Sequence, residues 1–144
     1  MTTRLGNTVA GLFIFIGVAS HSAGGDAKSK KTELEGTWNA IKKDSAAKQL
    51  KFVGNKFEAT LDGKVFKGTF TLNTDKNPLW IDMKITESAE EKYKGKTALG
   101  IYEFQGENLR WCSSRPGRKR RPVQFASQMG DARLLLATFK RYSR

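Results

Sequence analysis

From Leu34 onward apolar and polar residues alternate with a period of two. Phe57, Ala59 and Leu61 are interleaved with Glu58, Thr60 and Asp62, and Phe66, Gly68, Phe70 and Leu72 with Lys67, Thr69 and Thr71. Leu79, Ile81, Met83 and Ile85 alternate with Trp80, Asp82 and Lys84, so this strand should turn the first set inward and the second outward. Gly54-Asn55, Asp62-Gly63, the stretch from Asn73 to Pro78, Lys94-Gly95 and Gln105-Gly106 break the runs with turn-forming residues. The pattern predicts strands near 35–42, 49–53, 56–62, 64–72, 79–86, 97–104, 108–113, 120–126 and 132–140. Short helical turns are expected at Ser45 to Lys48 and at Glu87 to Lys92. Eight to nine short antiparallel strands joined in sequence predict an all-β, up-and-down β-barrel, because closure removes the adhesive edges of an open sheet.

The N-terminal end departs from this pattern. Arg4 precedes an eleven-residue apolar run, Val9 to Ala19, and a patch of mostly small residues follows to Gly24. That is the layout of a secretory leader, too short for a comfortable membrane span. The expected organisation is a signal peptide over 1–23, cut somewhere in 20–24, a flexible lead-in over 24–33 and the barrel domain over 34–144. The expected destination is the periplasm or the extracellular space, with no stable membrane span after cleavage.

Charge divides the chain unevenly. Of the formal net charge of +12, residues 110–144 carry +9, from ten Lys/Arg against the single acid Asp131. Eight of those ten are arginine, whereas the first 109 residues hold one arginine and fifteen lysines. Arginine offers a planar fork that matches phosphate and carboxylate. Arg115-Pro116-Gly117 should form a turn from which Arg118 to Arg121 enter the next strand. With Val123 and Phe125 facing inward, Lys119 and Arg121 share their face, and Arg121 is expected to be held at the barrel rim by a carboxylate, Glu103 being the first choice. Arg115, Arg118 and Arg120 are left as candidate contacts for a polyanion, with Trp111 or Phe125 available for stacking. The same charges also serve as a solvated face that keeps a small protein soluble.

The residues needed for most catalytic chemistry are scarce. The only histidine, His21, lies in the expected leader, which removes imidazole from acid-base and metal roles. Cys112 is alone, so no internal disulfide forms, and on a strand it shares a face with Arg110. Glu87, Glu90 and Glu91 sit among Lys92, Lys94 and Lys96 and read as a solvated loop. No phosphate-cradling glycine loop or dinucleotide fingerprint is present, and no cofactor, metal or catalytic residue is expected.

Leu34-Glu35-Gly36-Thr37-Trp38, followed by Gly54-Asn55-Lys56-Phe57, Gly68-Thr69-Phe70, Gly100-Ile101-Tyr102-Glu103, Leu109, Cys112, Arg121-Pro122 and Lys140-Arg141, resembles a family of small secreted lipocalin-like domains of unknown function that is abundant in planctomycete bacteria. The chain departs from that pattern at Trp111, where an aliphatic residue is expected, and in the basic run Arg118 to Arg121. The resemblance implies a lipocalin-like barrel without an established activity. It also implies that Arg141, late in the last strand, packs over Trp38. Two binding readings follow, with an enzyme a distant third. In the first, the barrel interior, including Trp38, Phe57, Phe70, Ile81 and Met83, holds a small apolar or amphipathic ligand, unless aromatic side chains fill it completely. In the second, the basic loop 115–121 binds an anionic envelope polymer; export disfavours nucleic acid as the partner.

Overall fold

A computed structural model describes residues 23–143. The expected leader lies outside them apart from its last residue. The chain enters through helix α1 (Ala23–Leu34), which occupies the stretch expected to be a flexible lead-in. Eight strands then close into one antiparallel barrel: β1 (Gly36–Ala40), β2 (Ala47–Val53), β3 (Lys56–Leu61), β4 (Lys64–Asn73), β5 (Leu79–Ser88), β6 (Thr97–Gln105), β7 (Asn108–Ser113) and β10 (Leu135–Arg141). Each strand pairs with its neighbour in sequence up to β7. β10 then fills the gap between β7 and β1, and this pairing closes the barrel.

The expected register of β5 holds. Ile81, Met83 and Ile85 are buried in the barrel core, and Lys84 is exposed on the outer face. Two local devices bend the wall. A bulge falls between Lys67 and Gly68 of β4, where a Cβ on Gly68 would stand 1.7 Å from the carbonyl oxygen of Lys84, so only glycine fits. A second irregularity lies between Ala47 and Gln49. It belongs to a strand that starts at Ala47, where the sequence suggested a helical turn over Ser45 to Lys48. The turn expected over Glu87 to Lys92 is reduced to one 3-10 turn, Glu91–Tyr93, because β5 runs on to Ser88.

One end of the barrel is plugged. Trp38 is 1% exposed and donates its indole N–H to the Leu34 carbonyl at 2.8 Å. The Arg141 guanidinium lies 4.2 Å from the centre of the Trp38 ring and donates to the carbonyls of Glu33 and Glu35. Gly36 makes room for it: its φ is +119°, and a Cβ there would meet Nη1 of Arg141 at 3.0 Å. The expected partnership of Trp38 and Arg141 is therefore present, and such a stack stabilises by about 0.5–2 kcal/mol according to its desolvation.

The principal correction concerns residues 120–126. No strand forms there. From Ser114 to Leu134 the chain runs as an irregular strap over the outside of β5, β6 and β7, carrying only the two-residue strands β8 (Gln128–Met129) and β9 (Ala132–Arg133). Val123, expected to face inward, is 73% exposed. The strap covers outward residues of the barrel wall and makes a second small core with them: Ile101, Cys112 and Leu134 are buried, with Trp80, Phe125 and Met129 packed against them. A wall that is apolar on both faces explains why Ile101 and Cys112 alternate with Tyr102 and Trp111 in β6 and β7 without a polar residue between them.

Candidate binding cleft and basic groove

The unplugged end of the barrel opens into a cleft of about 210 Å³. Its floor and walls are inward residues of several strands: Phe57 and Ala59 from β3, Met83 and Ile85 from β5, Ala98 from β6 and Trp111 from β7. Asp62, Lys64, Glu90 and Arg115 stand around the mouth. Small side chains create the space. Ala59 and Ala98 lie at this end, whereas Trp38, Phe52, Tyr102 and Phe139 are fully buried elsewhere in the interior.

Two polar details define what the cleft offers. Trp111 is 3% exposed, and its indole N–H is buried without an acceptor among the described residues. Leaving such a donor unpaired costs about 1–3 kcal/mol. At the mouth, Lys64 and Glu90 neutralise each other at 2.8 Å, and this contact holds the Glu90 carboxyl below and the Lys64 amine above its usual range. Arg115 makes no ion pair or side-chain hydrogen bond among the described residues and is the uncommitted cation of the mouth.

Of the interior residues proposed from sequence, Phe57 and Met83 line the cleft. Trp38 belongs to the plug, Phe70 packs edge-on to Phe52 at 5.0 Å, and Ile81 is 1% exposed in the core, so these three do not reach it. The sequence reading missed Ala59, Ile85, Ala98 and Trp111. The available signal was the pair of inward alanines, Ala59 and Ala98, among the larger inward residues of their strands.

The basic segment divides between two roles. Arg115 to Arg118 form the expected turn, closed by the Arg118 N–H donating to the Arg115 carbonyl at 3.1 Å. Arg121 is held by a carboxylate, but that of Asp82 and not of Glu103: Nη2 lies 2.6 Å from Oδ1 of Asp82. Its Nη1 donates to the Gly100 carbonyl at 2.8 Å, and the guanidinium stacks on Trp80 at 4.1 Å. Glu103 instead faces its cross-strand partner Arg110 at 3.5 Å. The expectation failed because it assumed that Arg121 continued a barrel strand; on the strap it reaches β5 from outside. Neither proposed stacking residue is free. Trp111 is inside the barrel, and the Phe125 ring lies 4.6 Å beneath the Arg110 guanidinium.

Arg115, Arg118 and Arg120 are exposed, and the structure brings them together with Lys119 and Arg133 around a groove of about 210 Å³. Ser114, Met129, Ala132 and Leu134 complete its lining. Arg133, distant in sequence, was missed because β9 folds back beside the turn. Cys112 donates to the Ala126 carbonyl at 3.2 Å, and burial pushes its thiol above the usual range, so it anchors the strap as a neutral group. Among the described residues no group of three or more His, Cys, Asp or Glu is placed to hold a metal. No family model, curated protein or solved structure matches the chain.

Proposed function

We propose that the protein is an exported, lipocalin-like binding barrel that takes up a compact apolar molecule bearing one hydrogen-bond-accepting or anionic group. The observation that carries this reading is the cleft at the unplugged end, with Trp111, whose indole N–H is buried and unpaired, among its lining residues. Its size limits the ligand. At about 210 Å³ it exceeds the roughly 150 Å³ that admits benzene and falls short of the roughly 300 Å³ at which drug-sized sites begin. A single ring or short chain fits that range, and a long acyl chain does not. Apolar walls supply affinity, while Trp111 and Arg115 fix the orientation of the polar end.

Native mass spectrometry of the protein purified from its own host, combined with titration by 3-phenylpropionate, tests the reading. The expected result is a small organic adduct that the phenyl acid displaces, with weaker uptake in Trp111→Phe, which keeps an aromatic wall and loses the donor. Bare protein together with no saturable uptake of the acid would count against a ligand-binding barrel. Export is tested separately: N-terminal sequencing of secreted protein should begin near residues 20–24, and intact Met1 on soluble cytoplasmic protein would reject it.

A further inference from the structure

The groove on the strap pairs an apolar floor with a basic rim, and the barrel reading does not use it. Met129, Ala132 and Leu134 line it, and the surface it offers is almost wholly apolar. Arg115, Arg118, Lys119, Arg120 and Arg133 belong to the same lining and are all exposed. None of these cations has an ion pair or a side-chain hydrogen bond among the described residues. Long basic side chains lay their stems on apolar surface and keep their charged ends in water. Asp131, the only acid in residues 110–144, does not line the groove.

The backbone around this floor is fixed from several directions. The Ser114 hydroxyl donates to the Arg120 carbonyl, the Gly117 N–H to the Thr97 carbonyl at 3.0 Å, and the Leu134 N–H to the Ser127 carbonyl at 2.9 Å. Arg121 is clamped to Asp82, and Pro122 beside it is buried. A frame held in this way keeps the floor in place before anything binds, so little beyond side-chain freedom is lost on association.

We infer that this groove is a docking site for an acidic segment of a partner protein that carries one apolar anchor residue between its acids. The floor selects the anchor. At about 210 Å³ it has room for a single Leu, Met, Phe or Trp side chain, and an apolar residue seated in a pocket within a polar rim is the usual energetic centre of a protein interface. The rim selects the flanks: cations spread around the floor, with no need to converge on one point, match acids spaced along a chain. Other anionic partners use only part of this surface. An acidic polysaccharide brings no apolar side chain for the floor, a nucleic-acid base finds no aromatic residue in the lining to stack on, and a flat anionic membrane meets the rim and leaves the floor empty. Arg115 also stands at the mouth of the barrel cleft, but Arg118, Lys119, Arg120 and Arg133 do not line that cleft, so either site can fail without the other.

Fluorescence anisotropy tests the site with short labelled peptides that carry a central Leu, Met, Phe or Trp between runs of Asp and Glu, and with a matched peptide carrying Ser at the centre. The proteins compared are the unaltered chain, R118E/R133E, A132F, which fills the floor and keeps every charge, and K84E, whose lysine is exposed on β5 outside the groove. The expected result is saturable binding of an apolar-centred peptide, weakened about tenfold or more by Ser at its centre, by R118E/R133E and by A132F, and unaltered in K84E. Thermal melting checks that each variant folds. If A132F does not, the Ser peptide tests the floor from the other side, and R118Q replaces a misfolded double variant with a smaller loss expected. Absence of saturable binding by every apolar-centred peptide overturns the inference, as does equal weakening by K84E. Equal binding of the Ser peptide assigns the charges to polyanion tracking and rejects an anchored site. Retention on phosphatidylglycerol vesicles without peptide binding assigns them to a membrane surface. Self-association in sedimentation that R118E/R133E abolishes gives the groove to a second copy of the chain and rejects a separate partner.

Discussion

Two arginines lie over two tryptophans at nearly the same distance, 4.2 Å for Arg141 on Trp38 and 4.1 Å for Arg121 on Trp80, yet the two stacks divide the energy differently. At the plug the tryptophan is the buried partner. Trp38 is 1% exposed and its N–H is satisfied, while Arg141 is exposed and touches backbone carbonyls. On the outer wall the arginine is the more covered member of an ion pair. Its side chain is 14% exposed, against 40% for Asp82, and it joins a carboxylate, a barrel carbonyl and an aromatic face in one contact. One stack closes the barrel, and the other fastens the strap to it.

Trp38→Ala should have the largest effect, a loss of about 3–5 kcal/mol, as expected for truncation of a large buried aromatic. Chemical denaturation measures it, and a loss below about 1 kcal/mol would make Trp38 peripheral. Arg121→Ala should cost about 2 kcal/mol, the range of a hydrogen bond involving a charged group. The damage should be local, with faster amide exchange and new proteolytic cuts in 114–134 and the barrel strands still protected. Uniform loss of protection would show that strap and barrel unfold as one unit. Arg141→Ala should cost only about 0.5–1 kcal/mol, since its stack is exposed to solvent.

Alkaline pH provides a subtler probe of the buried interior. Burial pushes both the Tyr102 hydroxyl and the Cys112 thiol above their ordinary ranges. Each contributes stability that is fully present below its unfolded pKa. The unfolded chain releases these protons first as pH rises, so stability falls above the ordinary thiol range and more steeply past the ordinary phenol range. Tyr102→Phe should flatten the second fall, as read from melting temperature against pH; an unaltered profile would remove Tyr102 from the account. Glu90→Gln should be the smallest perturbation and leave the melting temperature unchanged, because Lys64 and Glu90 meet in solvent at the mouth.

The barrel was legible from alternation alone because each strand has one buried face, and Leu79 to Ile85 show why the signal is strong. A register slip of one residue would have buried Asp82 and Lys84 in the core. The strap was not legible. Val123 and Phe125 alternate as in a strand, but their surroundings are the outer wall, where Ile101 and Cys112 required a cover that period-two reasoning does not anticipate. The cleft was half legible: Phe57 and Met83 follow from the pattern, whereas the space beside them comes from the small size of Ala59 and Ala98. The basic groove needed the strap's path to bring Arg133 to Arg118.

The three tryptophans report on the three regions separately: Trp38 on the plug, Trp80 on the strap clamp and Trp111 on the cleft. The most direct test of a plugged barrel open to small ligands at its far end is the NMR signal of the three indole N–H groups during titration with 3-phenylpropionate. The account predicts that the Trp111 resonance moves and saturates while those of Trp38, already bonded to Leu34, and Trp80, outside the barrel, stay in place. A Trp111 resonance that does not move, or equal movement of all three, would contradict it.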